Sequence, residues 1–148
     1  MPDKKIATNR QARFNYTILE SLEAGIALTG TEVKSVRSGN VSLNESFARV
    51  DGGEIFIYNM HIAPYEFGNI NNPDSVRPRK LLLHKAQIRK LAEETSVKRL
   101  VLIPLKLYIK NGFVKLELAL AKGKKLYDKR ESIKKHDSER ELRRRFAR

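Results

Sequence analysis

Residues 99–121 read RLVLIPLKLYIKNGFVKLELALA, and the order of residue types here decides the fold class. Asn111-Gly112 stands between two runs rich in Leu, Ile and Val. Asn-Gly is the pair that a two-residue hairpin turn favours, because both central positions need positive φ. On an unbroken two-residue period Val101, Ile103, Leu105, Leu107 and Ile109 share one face, and Val114, Leu116, Leu118 and Leu120 share the facing one.

Upstream, SFARVDGGEIFIYNMHI (46–62) predicts a second hairpin, with Asp51, Gly52 and Gly53 supplying the tight turn. YTILESLEAGIAL (16–28) is rich in β-branched and aliphatic residues and reads as a strand that Gly25 bends or bulges. TGTEVKSVRSGN (29–40) predicts a short helix: Thr29 or Thr31 caps it, Val33 and Val36 lie on one side, Lys34 and Arg37 form a basic stripe, and Gly39 stops it. HKAQIRKLAEETS (84–96) places Ile88, Leu91, Ala92 and Thr95 at helical spacing. Residues 64–80, with three prolines and three asparagines, form a long loop of the kind that functions or is disordered. Several antiparallel strands with few helices predict a mainly β fold, an OB-fold-like closed barrel with short flanking helices, which is a frequent RNA-binding platform.

The barrel is expected over residues 1–122, and beyond it the composition changes. Residues 122–148, KGKKLYDKRESIKKHDSERELRRRFAR, hold twelve Lys and Arg against five Asp and Glu, more than half of the chain's net +13. From Gly123 the large aliphatics and Phe are only Leu126, Ile133, Leu142 and Phe146, too few to offset the entropy of folding alone. Good helix formers from Glu131 onward, and Asp128 three residues before Glu131, predict a tail (123–148) that is disordered when free and helical on a partner. The charge points to a polyanion, and Tyr108, Tyr127 and Phe146 interleave it with rings that can stack on bases. An anionic membrane surface fits less well, since the tail's scattered apolar residues make no continuous apolar face.

Catalysis finds no support. There is no cysteine, so disulfides and thiolate metal sites are excluded, in keeping with a reducing compartment. His61, His84 and His136 lie in unrelated segments without metal-ligand spacing, and Glu20 and Glu23, three apart in a strand, are joined by no nucleophile or base. No cofactor, metal, leader peptide or membrane span is expected, and the chain reads as cytoplasmic.

Five strings occur in order along nearly the whole chain: NRQARFNY (9–16), LEAGIALTGTEVKSVRSG (22–39), HIAPYEFGN (61–69), RPRKLLLHK (77–85) and AKGKKLYDKR (121–130). Together they resemble the small protein B family, the tmRNA-binding (SsrA RNA-binding) proteins of bacterial trans-translation. The resemblance implies an OB-like barrel, acting as a monomer, that binds the tRNA-like domain of tmRNA and delivers it to a stalled ribosome. It also implies that the tail occupies the empty decoding centre and mRNA channel. By resemblance, Asn9, Glu23, Leu82 and Lys115 form the RNA-binding surface, and Lys34 and Arg37 add phosphate contacts. In the tail Gly123 becomes a hinge. Lys124, Lys125, Lys129 and Arg130 meet rRNA phosphates, Tyr127 stacks at the decoding centre, and Asp128 lies among them. One departure is Asn40, where many members carry Lys or Arg after the glycine. A general single-stranded RNA-binding barrel or ribosomal protein would bind without preferring the tRNA-like shape, and an RNA-cleaving enzyme would need an acid-base pair.

Overall fold

A computed structural model describes residues 4–65 and 72–124. Among the described residues the fold is mainly β and antiparallel, with three short helices. In chain order the elements are β1 (Lys4–Thr8), α1 (Ala12–Asn15), β2 (Tyr16–Ile26), α2 (Gly30–Arg37), β3 (Val41–Ser42), β4 (Phe47–Asp51), β5 (Glu54–Tyr58), β6 (His61–Ile62), β7 (Arg79–Leu82), α3 (Lys85–Val97), β8 (Val101–Lys110) and β9 (Phe113–Gly123). Pairing runs β1-β8-β4-β5-β7-β2-β9, and β9 also pairs with β8; β3 and β6 form a separate two-stranded piece.

The β8–β9 hairpin turns at Asn111 (φ 51°) and Gly112 (φ 81°), as Asn-Gly predicts. A Cβ at Gly112 would meet nothing within 4 Å, so Gly112→Ala isolates the backbone penalty. That variant should lose about 1–2 kcal/mol, read as a lower urea midpoint with unchanged slope. The β4–β5 turn likewise has Gly52 and Gly53 at positive φ, and Ile55 and Ile57 point into the core.

The expected single face along β8 is not what forms. The β8–β9 register skips between Pro104 and Lys106, so a bulge at Leu105 switches sides. Leu102 and Leu107 reach the main core with Leu116, Leu118 and Leu120, whereas Ile103 and Leu105 join a smaller cluster with Ala12, Ala119 and Ala121. Val101 is partly exposed. The bulge also divides the other edge of β8, where Leu102 pairs with β4 and Lys106 to Ile109 pair with β1.

β2 is irregular too, but at Leu19 instead of Gly25, since its register with β9 skips between Ile18 and Glu20. Gly25 has a different reason to be glycine. It lies between Lys115 of β9 and Leu82 of β7, and an added Cβ would come within 3.1 Å of Leu82 Cβ.

Helix α2 begins at Thr29, whose side chain accepts from the Glu32 amide while Glu32 accepts from the Thr29 amide. Glu32 does more than cap. Its carboxylate, 3% exposed, binds the Arg77 guanidinium and lies 2.6 Å from Nε of the fully buried Arg79. Arg79 also donates to the carbonyls of Met60 and Ser75. This cluster fastens the loop before β7 to α2. In α3, Ile88 and Leu91 supply the buried face, as their spacing predicts.

Candidate nucleic-acid interface

The outward face of β8, β9 and β2 is built by strand alternation opposite the core. Tyr108 pairs with Lys115, which pairs with Gly25; Lys106 pairs with Glu117, which pairs with Glu23. Side chains from three strands therefore gather on one surface. β7 continues it through Leu82, which is 52% exposed although Arg79 and Leu81 in the same strand are buried.

Glu23, Gly25, Leu82 and Lys115 line one open groove with Lys80 and His84. Gly25, Leu82 and Lys115 also border an adjoining depression that Val33 of α2 and the exposed Phe113 complete. An apolar shelf between cations suits a nucleotide, with the ring on Leu82 and the phosphate near lysine. The Tyr108 hydroxyl donates to Glu23 Oε2, and Lys110 Nζ lies 3.5 Å from the same oxygen. The Tyr108 hydrogen bond first, and then Lys110 and Lys115, hold the Glu23 carboxyl below the usual carboxylate range against an opposing effect of burial.

The structure thus brings together Glu23, Leu82 and Lys115. Lys34 and Arg37 are exposed on α2, whose Val33 touches this region, and Lys34 Nζ lies 5.2 Å from the Tyr65 ring centroid. Asn9 lies apart: its amide donates to the Leu105 carbonyl and its side chain to the Pro104 carbonyl, 2.8 and 3.0 Å away, so it anchors the chain to the β8 bulge. It lines another groove together with Phe47 and Arg49; Phe47 stacks on Tyr58 with centroids 5.5 Å apart, and Arg49 lies 4.8 Å above the Tyr58 ring. The sequence signals for that cluster are the outward positions of Phe47, Arg49 and Tyr58 in the hairpin alternation. Tyr108 is not a stacking ring as expected, because it is buried and its hydroxyl is committed to Glu23.

Gly123 is the last residue of β9 and pairs with Tyr16, while the Lys124 amide and ammonium donate to the carbonyls of Asn15 and Arg13. Both belong to the end of the sheet, so the strand runs past the expected boundary at 122. Lys125, Tyr127, Asp128, Lys129, Arg130 and the predicted tail helix lie outside the described residues. Among the described residues no group of His, Asp and Glu could hold a metal ion, and no helix is long and apolar enough to cross a membrane.

Comparison with known proteins shows the family to which the chain belongs. The family model described as SmpB protein matches residues 6–148. An SsrA-binding protein of Caldicellulosiruptor bescii is 63% identical over 143 residues, 97% of this chain and 90% of its own length. One from Ligilactobacillus salivarius is 56% identical over 142 residues, 96% of this chain and 92% of its own. A solved structure described as "tmRNA-SmpB: a journey to the center of the bacterial ribosome" holds a chain that is 50% identical. It superposes with a TM-score of 0.69, over 85% of this chain and 92% of that one. With a family match over nearly its full length and relatives well above half identical, this chain belongs to the SmpB family.

Proposed function

We propose that the protein binds the tRNA-like domain of tmRNA and carries it to ribosomes stalled without a stop codon, acting in the cytoplasm as a monomeric RNA-binding protein and not as an enzyme. The observation that carries this reading is the gathering of Glu23, Leu82 and Lys115 around Gly25, from strands far apart in sequence, in a chain of this family. In this reading the circuit of pairings from β8 through β4, β5, β7, β2 and β9 back to β8 is a closed OB-like barrel. Leu82 takes a base or ribose, Lys115 a phosphate, and Glu23 a base amino group. Lys34 and Arg37 extend the phosphate track. Asn9 serves by holding the β1–α1 connection in place.

The tail, with its eleven Lys and Arg, is complementary to rRNA phosphates lining an mRNA channel only when that channel is empty. Lys125, Lys129 and Arg130 supply charge, Asp128 starts the helix, and Tyr127 stacks at the decoding centre. Because β9 ends at Gly123 and Lys124 is tied to Asn15, the test deletes residues 125–148. The shortened protein should still bind tmRNA with the same preference for its tRNA-like domain and lose peptide tagging on stalled ribosomes; retained tagging would refute the tail's role.

A further inference from the structure

Glu23 and Tyr108 sit in β2 and β8, on either side of β9, about 9–10 Å apart from strand to strand. The carboxylate alone cannot cross that distance; a phenol reaching over Lys115 and Glu117 can. Tyr108 is 9% exposed, and the Lys106 ammonium lies 5.4 Å from its ring centroid. Tyr108 and Lys110 both meet Oε2 of Glu23, and no described residue donates to Oε1. Among the described residues, one carboxylate oxygen is thus held and the other accepts no hydrogen bond.

We propose that Tyr108 is a positioning residue for RNA recognition: its hydroxyl fixes the Glu23 carboxylate so that Oε1 serves as a directed acceptor for an exocyclic amino group of a base. The inference rests on the interface reading above. An ionised carboxylate accepts only, so it discriminates in favour of amino-bearing base edges and against phosphate. Without the phenol, Glu23 would be left with Lys110, an exposed and flexible partner, and would sample several rotamers. The depressed titration of Glu23 agrees with a carboxylate held in this way.

Tyr108→Phe keeps the ring and removes only the hydroxyl. In the free full-length protein, carboxyl NMR should show Glu23 titrating below the usual range, and moving up toward it in Tyr108→Phe. The other charged groups on this face, Lys5, Lys106, Lys110, Lys115 and Glu117, together with Glu54, Lys80, His84 and Lys85 at the groove, are unchanged between the two proteins. Affinity for the tRNA-like domain should fall about fivefold in Tyr108→Phe and further in Glu23→Ala. In the Glu23→Ala background, Tyr108→Phe should have no additional effect. An equal loss in that background would make Tyr108 a packing residue and overturn the assignment. Loss in Glu23→Ala with none in Tyr108→Phe would remove Tyr108 alone. Unchanged affinity in Glu23→Ala would remove the interface reading with it.

Discussion

Replacing Glu32 by Ala should destabilise the fold by about 3–5 kcal/mol, a large share of the stability of a domain this size. The reason is the fully buried Arg79, whose Nε depends on the Glu32 carboxylate, with Arg77 as a second charge on the same group. Removing the carboxylate leaves an uncompensated guanidinium in the core. Losing the helix cap alone would cost only about 1 kcal/mol. Glu32→Gln separates the two effects, since glutamine can complete the same cap but carries no charge. It should still lose most of the stability that Ala loses, measured by urea unfolding; near-wild-type stability for Gln would mean that the cap dominates.

The same cluster fixes a pH dependence. Burial pushes the Glu32 carboxyl up, but hydrogen bonds from Arg77, the Thr29 amide and Arg79 outweigh it, and the net shift is below the ordinary value of 4.5. A carboxyl lowered by folding adds stability above its unfolded pKa and loses it as pH falls through the folded value. The gap between wild type and Glu32→Gln should therefore be full at neutral pH and shrink below the ordinary carboxylate range.

Leu82→Asp should weaken binding of the tRNA-like domain by tenfold or more while leaving thermal stability nearly unchanged. Burying a leucine side chain against a base contributes up to about 1.5–3 kcal/mol, and a new carboxylate beside the RNA backbone adds repulsion. Leu82 is half exposed, so the core does not depend on it; Leu81, its fully buried neighbour, packs inward. Leu82→Ala, which removes the shelf without adding charge, should give a smaller loss. A large drop in stability with Leu82→Asp, or unchanged affinity, would show that the residue belongs to the fold and not to the interface.

What could be read in the sequence was local. Asn111-Gly112, Gly52-Gly53 and the Thr29 cap each act over a few residues, and each appears where its chemistry requires. The bulge at Leu105 was not legible, because a skip in register depends on the partner strand and moves every later side chain to the other face. Nor was the Glu32–Arg79 pair, which joins residues 47 apart, or the Tyr108–Glu23 contact across 85. β1 carries only one large aliphatic residue, Ile6, and gains its place by pairing with β8. Of the proposed site, Glu23, Leu82 and Lys115 are named only through family resemblance, since an exposed leucine in an apolar run looks like core until the strand's two faces are known.

The central claim is that the folded domain reads the tRNA-like shape and the tail supplies nonspecific charge. It is tested most directly by comparing affinity for the isolated tRNA-like domain of tmRNA with affinity for an ordinary elongator tRNA. The full chain and a chain ending at Lys124 would be measured across a salt series. Both proteins should prefer the tRNA-like domain by a similar factor, with truncation reducing the salt slope. Equal binding of the two RNAs by the full chain, with most affinity lost on truncation, would contradict the claim and leave a general RNA-binding protein.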